Sequence, residues 1–234
     1  MAKKARTPAP PRKVQAPRQR KDERSDSDRR KLWILGGVAA LGLVGLAVAI
    51  SLFATAGGGA NDKGVAAALA NANCTYRVYP STSQAHVTSL QAKIKYNSFP
   101  ASNGTHYYQP APWGNYTDTV PQIVAVHNLE HGGMLIEYGN KVSKQDKDAI
   151  DAFYNDDRNA MLVFPLPALG NKIAFVAWTA DESKLATNRS GGYHGEGRVA
   201  ICTRFDGDAA ATFRSRFRGK GPERFPVSVL KPGT

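Results

Sequence analysis

The sequence contains few cysteines and lacks the short motifs that mark several enzyme classes. Its only cysteines are Cys74 and Cys202, which do not form a Cys-x-x-Cys pair, and this argues against a dithiol redox site. Gly-x-Ser-x-Gly and His-Glu-x-x-His are absent, and no Ser/His/Asp order typical of hydrolases is recognisable. The sequence therefore gives no positive sign of an enzyme, and the question of catalysis stays open.

The N-terminal segment is almost free of large apolar residues but rich in positive charge. Residues 1–31 contain twelve Lys or Arg and four acidic residues, so they supply +8 of the formal net charge of +12. Such a segment cannot bury enough surface to offset its ordering entropy, which predicts a disordered tail. We interpret its basicity as a topological signal and an attraction to anionic lipid head groups. Nucleic-acid binding by the tail is the alternative.

A long stretch without any charged residue follows this tail. Trp33 to Thr55 is uncharged, and a helix of that length, at about 1.5 Å per residue, crosses a hydrocarbon core of about 30 Å. We predict a retained transmembrane helix over 32–55, a single pass through the cell membrane with the tail in the cytoplasm and the remainder outside. The alternative is a signal peptide cleaved after Ala56, since Ala54-Thr55-Ala56 resembles a cleavage site.

The part beyond the span begins with a linker and continues as one domain. Residues 56–73 start with a glycine run and continue with an alanine-rich stretch, which is typical of a short helix or of further linker. Residues 74–234 form the predicted extracytoplasmic domain. Because an exported domain meets an oxidising compartment, we predict a disulfide between Cys74 and Cys202. Two independent thiols are the alternative.

Hydrophobic periodicity in the domain predicts an α+β fold with a single mixed sheet and two main helices. One helix is expected from the N-cap Ser143 to about Asp157, and the other from Asp208 to about Arg218. Strands are predicted over 122–127, 133–138, 161–165, 173–179 and 198–203. A loop rich in proline, glycine and aromatic residues, 96–121, is too long for an ordinary connector and predicts a functional role.

All five histidines lie in the predicted domain, and the densest group is the segment VHNLEHGG at 126–133. His127 and His131 reach one ion only if this segment forms a helical turn. In a helix they are about 6 Å apart along the axis, whereas in a strand the separation is about 13 Å. Gly132 and Gly133 suit the end of such a turn. Glu130 is a candidate ligand, ring-orienting partner or base.

Seven short motifs between residues 74 and 225 form a distinctive combination. They are Tyr-x-x-x-Pro at 96–100, Asn-Gly-Thr-His at 103–106, Gly-x-Tyr at 114–116, Val-His-Asn-Leu-Glu-His-Gly at 126–132, Phe-Pro-x-Pro at 164–167, Ala-Trp at 177–178 and Pro-Glu at 222–223. This combination resembles a bacterial, often actinobacterial, membrane-anchored family with a domain of unknown function and a His-x-Leu-Glu-His-Gly signature. The resemblance implies an envelope location and a shared fold, but no established activity.

Three interpretations of the histidines remain open. A site built from His106, His127 and His131, with His86 or Glu130 as a fourth ligand, would suit Zn²⁺ or Cu²⁺. Alternatively, the domain is a structural envelope module, or one that binds an unidentified envelope protein, and its histidines only brace the long loop. A metallohydrolase that activates a bound water is the third interpretation.

The aromatic residues of the long loop allow two interpretations. Tyr107, Tyr108, Trp113 and Tyr116 are spaced closely enough to form a platform for a ligand. Ordinary packing of a proline-rich loop explains the same residues. The sequence alone does not decide between these two roles.

Overall fold

The computed structural model describes residues 62–180 and 195–234. The described part contains four α-helices, numbered here in chain order. They are α1 (Lys63–Asn71), α2 (Gln122–Glu130), α3 (Lys144–Asp156) and α4 (Gly207–Phe217). Short 3₁₀ turns lie at Pro167–Leu169 and Val227–Val229.

Eight strands form two sheets within the same residues. They are β1 (Cys74–Pro80), β2 (His86–Val87), β3 (His106–Tyr107), β4 (Gly114–Asn115), β5 (Met134–Tyr138), β6 (Met161–Pro165), β7 (Ile173–Ala180) and β8 (Gly195–Cys202). The larger sheet has the order β1-β8-β7-β5-β6-β4, and β2 and β3 form a separate pair. In the larger sheet, β4, β6 and β5 run parallel to one another and the remaining neighbours are antiparallel. The predicted α+β fold with a mixed sheet is therefore confirmed.

The larger sheet buries apolar side chains on both faces. Successive residues of a strand point to opposite faces, so Ile136 of β5 lies on one side and Leu135 on the other. Ile136 packs in a cluster with residues of α1, α3 and α4, such as Phe213. Leu135 packs in a second cluster with α2 and the long loop, including Trp113 and Leu129. The second face is the one that carries the histidines.

The prediction of a strand over 122–127 is wrong, because these residues form the first part of helix α2. This helix is buried on almost every side, so it has no polar face that would reveal a helical period. Its β-branched Ile123, Val124 and Val126 add a strand-like composition. The apolar run 123–126 is too short to be assigned from periodicity alone.

The alanine-rich stretch forms the short helix α1, one of the two alternatives for it. Together with α2, it brings the described residues to four helices, against the two main helices predicted. Val65 and Leu69 of α1 are buried in the core. Just before the helix, the carboxylate of Asp62 forms a buried ion pair with Arg198 of β8. The second half of the expected linker, 56–73, is therefore packed onto the domain.

The two helices that were predicted are confirmed, and both begin at side-chain caps. Ser143 Oγ accepts a hydrogen bond from the Asp146 amide at 3.1 Å at the start of α3. Asp206 Oδ1 accepts one from the Ala209 amide at 2.8 Å at the start of α4. Such caps satisfy amides that the first helical turn leaves without a partner.

The predicted disulfide is confirmed. Cys74 and Cys202 lie directly opposite each other in the antiparallel β1–β8 ladder, and their sulfurs are bonded. The bond joins the first strand of the domain to a strand that follows 128 residues later. It therefore closes most of the domain into one covalent loop.

The predicted membrane span, 32–55, lies outside the described residues, as do the basic tail and the first part of the linker. Among residues 62–180 and 195–234, no helix combines the length and the apolar character needed to cross a bilayer.

Candidate metal centre

Two of the histidines are brought together by the small β2–β3 pair. The two strands are parallel, and their register sets His86 beside His106 and Val87 beside Tyr107. Side chains at paired positions lie on the same face of a sheet, so the two imidazoles are neighbours. Their ring centroids are 4.6 Å apart. This pairing joins segments that the sequence separates widely.

The segment that precedes His106 is fixed against the large sheet. Ser102 and Asn103 lie directly over Gly197 of β8, where a Cβ atom would overlap the Ser102 hydroxyl. Asn103 Oδ1 accepts a hydrogen bond from the Thr82 amide at 3.1 Å, which ties the segment to the chain before β2. Gly104 has a φ of +111°, a conformation that glycine adopts readily. The Asn-Gly-Thr-His motif therefore orients His106.

Helix α2 supplies the other members of the cluster from its last turn. His127 and Glu130 are buried within the helix, and His131 is the residue at its C-terminal end. Gly132 follows with a φ of +91°, which ends the helix in the way predicted from the glycine pair. His127 and His131 thus lie one turn apart, and their Nε2 atoms are 3.1 Å from each other.

Three imidazoles and one carboxylate converge on a single point. One ligand atom from each of His86, His106, His127 and Glu130 lies within 4.8 Å of all the others. We call these four residues the inner group. Glu130 Oε2 is 2.9 Å from His106 Nε2 and 3.3 Å from His86 Nε2. Three nitrogens and one oxygen form a donor set that suits Zn²⁺ or Cu²⁺.

Three residues of the inner group, His106, His127 and Glu130, form a further hydrogen bond through their second side-chain nitrogen or oxygen. His106 Nδ1 donates to the Gly104 carbonyl at 2.8 Å, and His127 Nδ1 donates to the Tyr107 carbonyl at 2.8 Å. Gln84 Nε2 donates to Glu130 Oε1 at 3.1 Å. Metal-binding histidines in proteins are oriented by bonds of this type, which leave Nε2 for the ion. The bonds direct one free atom of each residue into the cluster.

The protonation state of the cluster favours a cation. Burial opposes the charge on Glu130, but the hydrogen bond from His106 and the nearby imidazoles outweigh burial and lower the pKa of this carboxyl. Burial, opposed by the bond to the Tyr107 carbonyl, lowers the pKa of His127. Burial and the neighbouring His127 lower the pKa of His131 to about 4. At neutral pH the cluster therefore combines an ionised carboxylate with two uncharged imidazoles.

A second set of ligand atoms overlaps the inner group at His127. His127, His131 and Glu223 also offer ligand atoms within 4.8 Å of one another, and we call them the outer group. His131 Nε2 lies 3.1 Å from Glu223 Oε2. The ring of His131 also packs against Phe225, with centroids 4.6 Å apart. His131, predicted to complete one site with His106, thus falls in the outer group instead.

Backbone contacts place Glu223 beside α2. The Glu223 amide donates to the Glu130 carbonyl at 3.0 Å, and the Gly219 amide donates to the Gly132 carbonyl at 2.7 Å. A Cβ atom on Gly221 would overlap the backbone of Gly132, so the two segments touch directly. The segment 219–223 is therefore docked on the end of the helix.

Two residues of the site were not predicted as members. Glu223 belongs to the Pro-Glu motif, and this motif was the only sequence feature that drew attention to it. A motif alone does not show which residues the Glu223 side chain contacts in the fold. Gln84 carries no comparable signal, because a single glutamine in a polar stretch is unremarkable.

The four aromatic residues of the long loop do not form one surface. Trp113 is 4% exposed and packs in the core, and Tyr116 donates its hydroxyl proton to the Pro112 carbonyl at 2.6 Å. Tyr108 is 46% exposed, and its ring lies 4.8 Å from that of Tyr107. Only the two tyrosines that follow His106 therefore lie next to each other near the site.

We expect replacement of Asn128 by Ala to lower the free energy of unfolding by about 2–4 kcal/mol. The buried side chain of Asn128 bonds to both backbone groups of Ala111. Asn128 Oδ1 accepts a hydrogen bond from the Ala111 backbone amide at 2.9 Å, and Asn128 Nδ2 donates one to the Ala111 carbonyl at 2.8 Å. The variant leaves two backbone groups of the loop without partners in an apolar layer. Urea unfolding of both proteins measures the difference, and a change below about 0.5 kcal/mol would contradict this account.

Comparison with known proteins gives one finding. A family model described as "Protein of unknown function (DUF3105)" matches residues 86–224. Both the inner and the outer group lie inside the matched segment, which begins at His86 and includes Glu223. No curated protein and no solved structure matches the chain significantly. The description names no activity, so a functional argument has to come from the geometry of the site.

Proposed function

Since the chain belongs to the family described as "Protein of unknown function (DUF3105)", which supplies no activity, we propose a function from its own side chains. The domain binds one transition-metal ion, Zn²⁺ or Cu²⁺, through His86, His106, His127 and Glu130. The observation that carries this proposal is the convergence of four ligand atoms within 4.8 Å. The hydrogen bonds behind those atoms support it further.

The arrangement of hydrogen bonds favours a bound ion over simple bracing. His106 faces an acceptor at both nitrogens, the Gly104 carbonyl and the Glu130 carboxylate. His86 Nε2 lies 3.3 Å from the same carboxylate oxygen, so both rings face Glu130. Bracing explains the hydrogen bond between His106 and Glu130, but not the third imidazole, His127, whose ring centroid lies 4.9 Å from that of His86 and 4.8 Å from that of His106. A metal ion between the rings and the carboxylate satisfies every one of these atoms at once.

Four protein ligands also bear on the type of metal site. A tetrahedral shell filled by protein atoms is typical of structural or storage sites, whereas catalytic zinc sites usually keep a position for water. The inner group therefore supports metal binding or handling more than hydrolysis. Absorption spectra of the Co²⁺-loaded protein report the number of ligands. A spectrum that shows an open position for water would favour a hydrolase.

Metal analysis of the full chain tests the proposal. After exposure to Zn²⁺ or Cu²⁺ and removal of free ion, we expect one bound ion per chain. Replacement of Glu130 by Gln removes the only carboxylate of the inner group, so we expect the affinity to fall by at least about 100-fold, more than the loss of an orienting partner causes. Glu137→Gln is the matched control, because Glu137 is also a buried glutamate but contacts Gln122 and not the histidines.

A second measurement guards against misfolded variants. A ligand that binds only the folded protein raises its stability by about 2.7 kcal/mol at a concentration 100 times the dissociation constant. Thermal unfolding with and without Zn²⁺ should therefore show a clear shift in the wild type and in Glu137→Gln, and a much smaller one in Glu130→Gln. A wild-type domain that retains no ion would leave bracing as the role of the histidines.

We also propose that the domain works outside the cytoplasm, anchored by the span 32–55. Two observations support this location: the uncharged stretch after a basic tail and the disulfide between Cys74 and Cys202. Lipid bilayer and anionic head groups would then be the partners of the N-terminal segment. In a bacterial host, carbonate extraction should leave the chain in the membrane, and protease added to spheroplasts should digest residues 62–234.

A further inference from the structure

We propose that the inner and outer groups are two alternative positions for one metal ion, which passes between them while it stays bound to His127. This inference rests on the proposed metal binding. It adds that the domain exchanges its ion through a built-in second position, the outer group His127, His131 and Glu223. An ion carrier needs such a position, whereas a purely structural metal site does not.

The shared ligand is the first argument. Each histidine can offer one nitrogen here, and His127 Nδ1 is already bonded to the Tyr107 carbonyl. Only His127 Nε2 remains, and it faces His131 Nε2 at 3.1 Å on the outer side. His127 is also a member of the four-residue inner group, and with Nδ1 occupied we assign Nε2 as the nitrogen that it offers there. An ion held by His127 therefore has ligands of either group within reach.

The second argument is that nothing in the cluster bridges two ions. Dinuclear sites usually join their metals through a shared carboxylate or similar group, which offsets the repulsion between two dications. Glu130 Oε1 accepts a hydrogen bond from Gln84, whereas Oε2 faces the rings of His86 and His106, so the carboxylate presents one oxygen to the inner group. His127 likewise has a single free nitrogen. Simultaneous occupation of both groups is thus disfavoured, and alternation is favoured.

The third argument is the gradient of exposure along the two groups. The side chain of Glu223 is 44% exposed and that of His131 is 16% exposed. Those of Glu130 and His106 are 2% and 0% exposed. An ion captured at the carboxylate of Glu223 would therefore move from solvent to buried ligands by way of His131 and His127. His86, the exposed member of the inner group, is the competing route.

The outer group is also held in place before any ion arrives. Glu223 is fixed by its backbone bond to the Glu130 carbonyl, and His131 by its contact with Phe225. When one ligand is already bound, the next lies at a high effective concentration, so ligand exchange becomes an intramolecular step. The outer position therefore speeds loading and release in the same proportion and leaves the equilibrium affinity unchanged.

Metal-transfer kinetics of the full chain test this inference. The probe is Zn²⁺, delivered to the protein and then withdrawn by the chromophoric chelator 4-(2-pyridylazo)resorcinol in a stopped-flow instrument. For Glu223→Gln we expect one ion per chain and a dissociation constant within about threefold of wild type. Loading and release should both slow by about tenfold, equivalent to about 1.4 kcal/mol in each barrier.

The control is Glu196→Gln. Its carboxylate is 42% exposed, close to that of Glu223, but it faces Arg198 rather than a histidine. Equal rates in the two variants would overturn the inference and favour access past His86. Two ions per chain at saturation would also overturn it, because the groups would then be independent sites. Failure of wild type to bind any ion would instead refute the proposed function itself.

A double variant isolates the outer position. His106→Ala combined with Glu130→Gln removes two inner ligands and should leave one weakly bound Zn²⁺ per chain. Addition of Glu223→Gln should abolish this residual binding. If the residual ion were unaffected by Glu223→Gln, the outer group would not be a metal position.

Discussion

Reduction of the disulfide should lower the free energy of unfolding by about 4–5 kcal/mol. The bond between Cys74 and Cys202 spans 128 residues. In the chain-entropy model, a loop of that size restricts the unfolded chain strongly and stabilises the fold by this amount. The two cysteines face each other in the β1–β8 register, so the folded state holds them together without the bond. Nearly all of the effect should therefore come from the unfolded state.

Denaturant unfolding of the full chain, with and without reductant, measures this effect. The double variant Cys74→Ser with Cys202→Ser is the control, since reductant should no longer change its stability. It should unfold at a denaturant concentration close to that of the reduced wild type. A difference below about 1 kcal/mol between oxidised and reduced wild type would show that β1 and β8 do not depend on the covalent link.

The second large effect is a loss of stability as the pH rises, caused by Glu137. This residue lies on β5, is fully buried, and accepts a hydrogen bond from Gln122 through Oε2 only. Burial raises its pKa from the ordinary 4.5 to about 8, while the bond from Gln122 opposes the shift. Between these values the folded state keeps a proton that the unfolded chain has released. Stability is therefore highest below the unfolded pKa and falls as the pH rises through the folded one.

Linkage gives the size of this fall as about 1.4 kcal/mol per pH unit. Other ionisable groups also contribute to the pH dependence of stability, so the informative quantity is the difference between wild type and Glu137→Gln. We expect this difference to shift in favour of the variant by about 1.4 kcal/mol for each unit between about pH 5 and pH 8. Urea unfolding at several pH values measures it. Parallel stability curves for the two proteins would contradict the assignment.

The sequence predicted those features of the fold that depend on local chemistry. Ser143 precedes an amphipathic stretch, and a cap followed by one apolar face defines a helix in almost any context. The spacing of His127 and His131 before a glycine pair indicated a helical turn. The residues just before it, 122–127, were nevertheless predicted to form a strand. Helix α2 was missed because it is buried on nearly every side and so has no polar face.

The site itself depends on contacts between distant segments, which local patterns do not encode. The parallel register of β2 with β3 decides that His86 stands beside His106. The docking of the segment 219–223 on α2 places Glu223 beside His131. The sequence therefore indicated which histidines and which glutamate were candidate ligands of the inner group. It did not indicate that the ligands form two overlapping groups.

The small β2–β3 ladder would be the part of the domain most altered by an ion. It consists of two residues per strand, and the backbone bonds on either side of it join His106 to Ala85 and Tyr108 to Val87. Without metal, so short a ladder is open to local unfolding. An ion coordinated by the inner group would cross-link this ladder to α2, as the disulfide cross-links β1 to β8. Metal binding and the ordering of the β2–β3 ladder would then be a single event.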